Sequence, residues 1–385
     1  MNKYIQDTIR NNSRSLLCQL TLPQKKAVSE VIRGLFTANT PILRHLAQHP
    51  EKSAKRQGDK YSYHLKNINL KEKVERFSLN RIRNEIKNNS IIAYDLTDIA
   101  KEYAQKMEKI SRVFDGSKRK STNGYTLHGV GVNNILLKLE VHDGEINTQN
   151  QIRRKIVEEL SESFEKKGIW VFDRGNDDKA FFKFLRHILN LQFIARLKAD
   201  RQVVIKETGA LEQVRNLESG RYQVYLMNRW NQKVDIRYEY TLVIHNHLKN
   251  KEPIRLLAYL KDCSCSEQIV IMYLERWGVE NIFRRVKTKF NLEKIRVLNY
   301  QKFVNLTALI QFALNLSTIT FIQIQKLTYS LISGALFYYR KFLKQKSLTI
   351  NLDSFISFLT HSLKPLVIHH KKASPGQLSL FKREI

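Results

Sequence analysis

The segment from Tyr273 to Lys287 reads YLERWGVENIFRRVK and is the most informative part of the chain. Its polar residues follow the pattern Tyr, two residues, Arg, three residues, Glu, six residues, Lys. Spacings of three, four and seven place side chains on one face of an α-helix. The sequence therefore predicts that Tyr273, Arg276, Glu280 and Lys287 share one helical face. One acid among basic and phenolic groups suits a metal ligand flanked by phosphate contacts.

Two apolar segments upstream of this helix each end in an aspartate. Residues 91–94 (IIAY) precede Asp95, and residues 169–172 (IWVF) precede Asp173. Short apolar runs of this kind are typical of buried strands, and side chains at the ends of adjacent strands converge. Together with Glu280 they could form a carboxylate cluster of the kind that Mg²⁺ or Mn²⁺ prefers. For any one of these acids taken alone, a structural role is the better explanation.

These residues give the chain a resemblance to the IS4-type transposases, whose RNase H-like catalytic domain carries the third acid in a Y-(2)-R-(3)-E-(6)-K pattern. The match at Tyr273, Arg276, Glu280 and Lys287 is residue for residue. The resemblance implies that Asp95, Asp173 and Glu280 are the catalytic and metal-binding residues. It implies two Mg²⁺ ions, for which Mn²⁺ can substitute. It also assigns DNA contacts to the helix, at Tyr273, Arg276 and Lys287.

The activity implied by this resemblance is cut-and-paste DNA transposition of an insertion sequence. Such an enzyme binds terminal inverted repeats, releases a 3′-hydroxyl by metal-dependent cleavage and joins it to target DNA, and it is expected to dimerise on DNA. Some relatives use a hairpin intermediate in which a tryptophan stacks on a flipped base, and Trp230 is the candidate here. A buried aromatic in a β-layer is the alternative for Trp230. The rival functions are an RNase H-like nuclease without joining activity and an inactive, transposase-derived DNA-binding protein.

The net charge is consistent with a DNA partner. The 385 residues include 66 Lys and Arg against 36 Asp and Glu, which gives a formal charge of +30. A charge of this size attracts polyanions such as nucleic acid or an anionic membrane. Part of it lies on the helix that carries Glu280, at Arg276, Arg284, Arg285, Lys287 and Lys289. We therefore expect a basic track along which double-stranded DNA reaches the three carboxylates.

The predicted fold class is α/β. An RNase H-like mixed sheet with flanking helices is interrupted by a β-rich insertion and joined to helical regions at both ends. Residues 24–38 and 42–47 form two short helical patterns among basic residues, which fits a helix-turn-helix-like module. The predicted organisation is a DNA-binding domain at 1–88, the first part of the core at 89–198, the insertion at 199–264, the core helix at 265–300, a helical region at 301–370 and a flexible tail at 371–385.

Residues 303–325 contain no charged side chain and are long enough to span a bilayer. They include nine Asn, Gln, Ser and Thr residues, so a core helix is favoured over a membrane span. Three cysteines are too few for a disulfide framework and indicate a reducing compartment. The first residues contain no apolar segment typical of a secretory signal. The expected location is the bacterial cytoplasm, in association with the nucleoid.

The end of the chain contains a short motif of its own. It resembles the peptide by which bacterial replication and repair proteins bind the sliding clamp, with an apolar pocket for Leu and Phe and a polar contact for Gln. The residues concerned are Gln377, Leu378, Ser379, Leu380 and Phe381. The alternative is a tail that folds back onto its own domain.

Overall fold

The computed structural model of the protein describes residues 2–47, 53–116, 118–227, 234–246, 252–262, 265–339, 352–353, 355–357 and 359. The α-helices of this part are α1 Asn2–Leu17, α2 Leu22–Ala38, α3 Leu43–Leu46, α4 Ala54–Lys66, α5 Lys71–Ile82, α6 Gln149–Ser163, α7 Lys179–Lys183, α8 Ser266–Leu274, α9 Trp277–Lys289 and α10 Tyr300–Tyr339. The strands are β1 Ile91–Ala100, β2 Ser111–Asp115, β3 Lys120–Val132, β4 Ile135–Val141, β5 Ile169–Phe172, β6 Gln192–Arg196, β7 Gln202–Ile205, β8 Leu211–Gln213, β9 Gly220–Met227, β10 Val234–His245 and β11 Ile254–Tyr259.

All eleven described strands belong to one mixed sheet. Its order is β2-β3-β1-β5-β6-β11-β10-β9-β7-β8, and β4 pairs with β3 outside this path. β1 pairs with β5 and β5 with β6 in parallel, whereas the pairs β2–β3, β3–β4, β6–β11, β11–β10, β10–β9, β9–β7 and β7–β8 are antiparallel. Parallel strands are usually covered on both faces and read as continuous apolar runs, which explains the IIAY and IWVF segments. The predicted mixed sheet with flanking helices is therefore present.

The region predicted as a β-rich insertion contributes β7 to β11. These strands do not form a separate sheet, because β11 pairs with β6 in antiparallel fashion from Leu256 opposite Arg196 to Tyr259 opposite Phe193. β10 then pairs with β11, and β9 with β10. The insertion thus extends the sheet that carries the two aspartates. Trp230 lies outside the described residues, between β9 and β10.

The chain divides into two compact units, each built from several segments. The first comprises Met1–Ser78, Asp98–Tyr125 and Phe283–Ile385, and the second comprises Leu79–Thr97 and Thr126–Ile282. The core of the second unit includes residues from three parallel strands, two insertion strands and α8, namely Ile91, Ile169, Val171, Ile194, Val243, Ile254, Leu256, Ala258, Ile269, Val270 and Tyr273.

Helix α10 is central to the core of the first unit. Tyr300–Gln325 is long and apolar enough to cross a membrane, yet 78% of its most apolar stretch is buried within the protein. Asn305 donates hydrogen bonds to the carbonyls of Leu65 and Ile68, and its own Oδ1 accepts from the backbone N–H of Leu70. Its amide is thus satisfied by protein groups, as buried polar groups require. This is the environment of a core helix, which the sequence favoured.

Two elements differ from the sequence-based expectation. β1 was expected to end at Asp95 but continues to Ala100 beside β3, which is thirteen residues long. The helix expected to carry Tyr273 to Lys287 is interrupted between α8 and α9. Each depends on neighbouring elements that a local apolar pattern does not reveal.

Candidate active site

The first two acids lie at corresponding positions of adjacent parallel strands. β1 and β5 pair from Ile91 opposite Ile169 to Tyr94 opposite Phe172. Asp95 and Asp173 are the next residues along their chains. Because residues at corresponding positions of adjacent parallel strands are neighbours, this register brings the carboxylate of Asp95, within β1, close to that of Asp173, just after β5. The structure therefore juxtaposes the two aspartates that the sequence singled out.

Asp173 ends its strand differently from Asp95. It is the N-cap of a 3₁₀ turn, Arg174–Asn176, and its Oδ1 accepts from the backbone N–H of Gly175 at 3.1 Å. The same oxygen accepts from the side-chain amide of Asn176. Asp is a favoured cap because its carboxylate satisfies N–H groups that a helix start leaves unpaired. The cap and the strand end together fix the position of this carboxylate.

Arg276 joins the other two acids. Its Nη1 donates to Oδ2 of Asp95 at 2.9 Å, and its Nη2 donates to Oε1 of Glu280 at 2.6 Å. The side chain of Arg276 is 8% exposed and that of Asp95 is 14% exposed, whereas Glu280 is 49% exposed. One buried guanidinium therefore bridges an aspartate of β1 and a glutamate of α9, and Glu280 is the more exposed of the two acids.

The interruption of the helix explains how Arg276 comes to this position. Its backbone N–H donates to the carbonyl of Tyr273, and the N–H of Val279 donates to the carbonyl of Arg276. These i to i+3 bonds are those of a tight 3₁₀-type turn. Gly278, a poor helix former, lies just after this turn, in the first turn of α9. The prediction of one continuous face for Tyr273, Arg276, Glu280 and Lys287 is therefore wrong, because Tyr273 belongs to α8 and Arg276 to the turn before α9.

Burial and the neighbouring carboxylates change the acidity of Asp95. Burial is the main cause, the negative charge of Asp173 acts in the same direction, the Arg276 guanidinium opposes both, and the resulting pKa is about 7. Glu280 also raises this pKa, although it is the smallest contributor. Like charges close together disfavour ionisation of one member of the set. At neutral pH the site thus contains an acid near the midpoint of its titration.

The chemistry of this donor set suits a hard divalent cation. Three carboxylates offer oxygen ligands. Asp173 and Glu280 repel the ionised form of Asp95, and a bound cation would relieve this repulsion. Among the residues that the structure describes, however, no three His, Cys, Asp or Glu side chains are gathered closely enough to hold one metal ion. Asp95 and Glu280 instead share Arg276.

The residues predicted to contact DNA occupy varied environments. Tyr273 is 3% exposed, lies in the hydrophobic core, and its ring centroid is 5.5 Å from the guanidinium carbon of Arg276. Lys287 donates to the backbone carbonyl of Asp98 at 2.8 Å and lies 3.4 Å from Glu293. Arg284 and Arg285 both contact Asp353, at 3.1 and 3.2 Å. Trp230 and the segment Gln377 to Phe381 lie outside the described residues.

The sequence interpretation missed Arg153, a buried arginine near Asp173. It lies on α6, is 4% exposed, and donates to Oδ1 of Asn176 at 3.0 Å. A signal was present in the sequence, because Arg153 stands three and four residues before the buried Ile156 and Val157. A charged residue on the apolar face of an amphipathic helix needs polar partners in the interior.

Comparison with known proteins accords with this architecture. A family model described as the transposase DDE domain matches residues 86–316, which include all three acids. Among solved structures, the chain is similar to the cryo-EM structure of a piggyBac transposase synaptic complex with hairpin DNA. The TM-score is 0.50 and the identity 12%, over 100% of this chain and 84% of that one. This likeness concerns the fold alone, and it confirms the predicted α/β class. No curated protein matches the chain.

Proposed function

The chain belongs to the transposase DDE domain family, and from this membership we propose that it is a DNA transposase of an insertion sequence. Its substrates would be double-stranded transposon ends, recognised as terminal inverted repeats, and target DNA. It would cleave a strand at each end and transfer the resulting 3′-hydroxyl to a target phosphodiester. The proposal includes the IS4 type, which rests on the Y-(2)-R-(3)-E-(6)-K pattern at Tyr273, Arg276, Glu280 and Lys287.

The observation that carries this proposal is a group of three carboxylates, in which Asp95 lies beside Asp173 and shares Arg276 with Glu280. Two of them follow paired positions of adjacent parallel strands, and the third is tied to the first through one guanidinium. This places one acid from β1, one from the end of β5 and one from α9 in one electrostatic group. Strands and helices of the fold position such a group more precisely than loops can.

The residues that would hold the divalent ions are Asp95, Asp173 and Glu280, with Mg²⁺ as the expected ion and Mn²⁺ as a substitute. When bound, a pair of such ions activates the attacking oxygen and stabilises the leaving one in phosphoryl transfer. Arg276 keeps Oδ2 of Asp95 and Oε1 of Glu280 within reach of one guanidinium. Tyr273 is packed in the core, and the guanidinium carbon of Arg276 lies over its ring, 5.5 Å from the centroid, so Tyr273 would help to hold Arg276 in place.

DNA would approach along basic residues of α9. Arg284, whose side chain is 56% exposed, is placed to contact phosphates, and Lys287 is 31% exposed. Arg285 is 12% exposed, so its contribution to DNA binding would be smaller. The proposal extends to Trp230 as a base-stacking residue, to a dimer on DNA, and to a sliding-clamp contact through Gln377 to Phe381. The expected location is the bacterial cytoplasm.

An RNase H-like nuclease without joining activity is the second candidate. It would use the same three carboxylates and differ only in the fate of the 3′-hydroxyl. A transposase-derived DNA-binding protein without catalysis is less well supported, because Asp95, Asp173 and Glu280 are all retained. Product analysis separates these three functions, since cleavage alone, cleavage with joining, and binding alone give different DNA species.

A strand-transfer assay with Mg²⁺ tests the proposal. Labelled DNA ends are taken from the sequence that flanks the gene, and a supercoiled plasmid serves as target. Wild-type protein should release 3′-hydroxyl ends and join them to the plasmid. Glu280→Gln, which keeps the shape of the side chain but removes its charge, should bind the ends and fail in both steps.

Glu275→Gln is the matched control, since Glu275 is an exposed glutamate five residues before Glu280 and makes no contact with Arg276 through its side chain. It should cleave and join as the wild type does. Cleaved ends that are never joined would support the nuclease instead. Equal joining by Glu280→Gln and wild type would exclude the assigned site.

A further inference from the structure

The carboxylate of Asp173 receives its hydrogen bonds on one oxygen. The backbone N–H of Gly175 and the side-chain amide of Asn176 both donate to Oδ1. Among the described residues no donor is directed to Oδ2. Two donors on one oxygen fix the rotation of a carboxylate about its Cβ–Cγ bond. Oδ2 is therefore the oxygen that is available for another ligand.

The amide of Asn176 could in principle face Asp173 with either its oxygen or its nitrogen. Asn176 is 2% exposed, and its Oδ1 accepts from Nη1 of Arg153 at 3.0 Å. A guanidinium can only donate hydrogen bonds, so the amide group must present its oxygen to Arg153. The NH₂ group is then directed to Asp173. Arg153 thus determines which end of Asn176 faces the carboxylate.

Stability alone does not account for an arginine at this position. Its Nη2 donates to Oδ1 of Asn150 at 3.0 Å and to Oδ2 of Asp178 at 3.1 Å, and its guanidinium carbon lies 3.8 Å from the ring centroid of Phe181. Its Nε is buried without a hydrogen-bond partner. Burying a guanidinium costs free energy, and apolar residues of similar volume often replace buried ion pairs without loss.

We propose that Arg153 is a positioning residue that acts through Asn176 to orient Asp173, so that Oδ2 is presented to a divalent cation. The inference rests on the proposed function, because it requires that Asp173 bind a cation. Groups that orient metal-binding side chains in this way commonly change metal affinity by about 10- to 100-fold when they are replaced. Arg153 itself touches neither DNA nor the cation in this account.

The test is calorimetric titration of the full-length protein with Mn²⁺ alone, without DNA. Arg153→Lys keeps the charge, but a single ammonium lacks the planar fork that serves Asn176, Asn150 and Asp178 together. We expect its Mn²⁺ dissociation constant to rise about 10- to 100-fold. Asn176→Ala leaves the contacts of Arg153 with Asn150 and Asp178 in place and should weaken Mn²⁺ binding by a similar factor. It also provides a second variant should Arg153→Lys fold poorly.

Asp178→Asn is the matched control for a purely structural role. It removes the charge pair with Arg153, keeps an N-cap side chain for Ala180, and leaves the bond from Arg153 to Asn176. It should lower the thermal unfolding midpoint and leave the Mn²⁺ dissociation constant unchanged. The double variant Arg153→Lys/Asn176→Ala should bind Mn²⁺ about as well as whichever single variant has the lower affinity. The two effects should not add, because Arg153 acts on Asp173 only through Asn176.

The outcomes separate this inference from the function on which it rests. If wild type binds Mn²⁺, Asp173→Asn does not, and Arg153→Lys and Asn176→Ala both bind like the wild type, the positioning role is excluded and the proposed metal site stands. If Asp178→Asn weakens Mn²⁺ binding as much as Arg153→Lys does, the effect is one of general structure, and the positioning role is again excluded. If Asp173→Asn binds Mn²⁺ as wild type does, the metal assignment fails and this inference fails with it.

Discussion

The Nη1 atom of Arg276 lies 2.9 Å from Oδ2 of Asp95, although 181 positions separate these residues in the chain. The same guanidinium donates to Glu280, four residues away. A nearly buried arginine therefore compensates one buried carboxylate and one half-exposed carboxylate at once. Charged groups in the interior need such partners, since an unpaired one is strongly destabilising. This arrangement makes Arg276 part of the acid cluster as well as a candidate contact for DNA.

Replacing Arg276 by lysine should reduce cleavage of transposon ends by roughly 10²-fold, because small misplacements of a catalytic group have effects of this size. A lysine keeps the charge but lacks the fork that donates to Asp95 and Glu280 in fixed directions. Single-turnover cleavage of labelled ends measures the effect. Arg112→Lys is the control, since Arg112 also donates two hydrogen bonds, to Asn123 and Ser121, but at an exposed position. Equal losses in both variants would contradict a special role for Arg276.

Without divalent cations, the free energy of unfolding should fall as the pH rises from about 4 to about 7. Asp95 has a pKa of about 7 in the folded protein against 3.8 ordinarily, so the folded state holds its proton more tightly. Stability from this group is complete below pH 3.8 and is lost as the pH rises through 7, with a slope of up to about 1.4 kcal/mol per pH unit. Urea denaturation in EDTA across this range measures the slope, and Asp95→Asn should flatten it.

Addition of Mg²⁺ at pH 8 should raise the thermal unfolding midpoint of the wild type. A ligand that binds only the folded state stabilises it by mass action, and the ionised Asp95 is the form that a cation prefers. Asp95→Asn should show a much smaller rise in the midpoint, and excess EDTA should abolish the rise in the wild type. An identical rise in both proteins would place the bound Mg²⁺ elsewhere.

Acid should destabilise the protein through His128, which is fully buried next to Tyr94. Burial, together with the smaller effects of the nearby His142 and Arg153, lowers the pKa of His128 to about 3. Because the unfolded chain takes up a proton near pH 6.5, stability is complete above that value and is lost as the pH falls from 6.5 towards 3. His128→Gln should flatten this part of the curve measured by urea denaturation. Tyr94→Phe, which keeps the histidine buried, should retain the slope.

Gly168→Ala should destabilise the protein more than Gly209→Ala. Both glycines have positive φ, +92° and +67°, and each alanine pays about 1–2 kcal/mol for a left-handed conformation. A Cβ at Gly168 would also lie 2.6 Å from Cδ1 of Ile92, whereas a Cβ at Gly209 meets nothing within 4 Å. Overpacking of this kind adds roughly 1–3 kcal/mol. Chemical denaturation of the two variants measures the difference. Equal losses in the free energy of unfolding would mean that the side chain of Ile92 can move away from the new Cβ without cost.

Arg284 and Arg285 provide a matched pair on one helix for testing the DNA track. Arg284 is the more exposed of the two, although both contact Asp353. Arg284→Ala should weaken DNA binding and reduce the slope of log K against log salt by about 1, as loss of one phosphate contact does. Arg285→Ala should chiefly lower the unfolding midpoint. Fluorescence anisotropy with labelled DNA, at about 50 to 300 mM salt, measures both effects on binding. A larger loss of DNA affinity in Arg285→Ala than in Arg284→Ala would contradict the proposed track.

The sequence was sufficient to predict β5 and the start of β1. The segment at 169–172 forms β5 at the predicted bounds, because a continuous apolar run is buried wherever a parallel strand lies in the middle of a sheet. The apolar segment at 91–94 is paired with it residue by residue, so that Asp95 and Asp173, the residues that follow the two segments, lie side by side even though β1 continues to Ala100. The carboxylate pair could therefore be anticipated without any tertiary information.

Other parts of the site depend on partners that are remote in sequence. The spacing of Tyr273, Arg276 and Glu280 fits a continuous helix, and only the bond between Arg276 and Asp95 requires a turn there. The role of Asn176 likewise depends on Arg153, twenty-three residues earlier on another helix. Periodicity describes which face of an element is buried, but it does not say which polar groups meet inside.

The continuity of the sheet through β11 has a consequence for solubility. Without its antiparallel partner β11, strand β6 would be an edge strand with unpaired backbone groups along Phe193 to Arg196. Apolar edge strands of this kind pair readily with other chains and promote aggregation. The strands of the insertion therefore cover the edge of β6, and a chain from which residues 199–262 were deleted would expose an aggregation-prone edge next to β5, the strand that precedes Asp173.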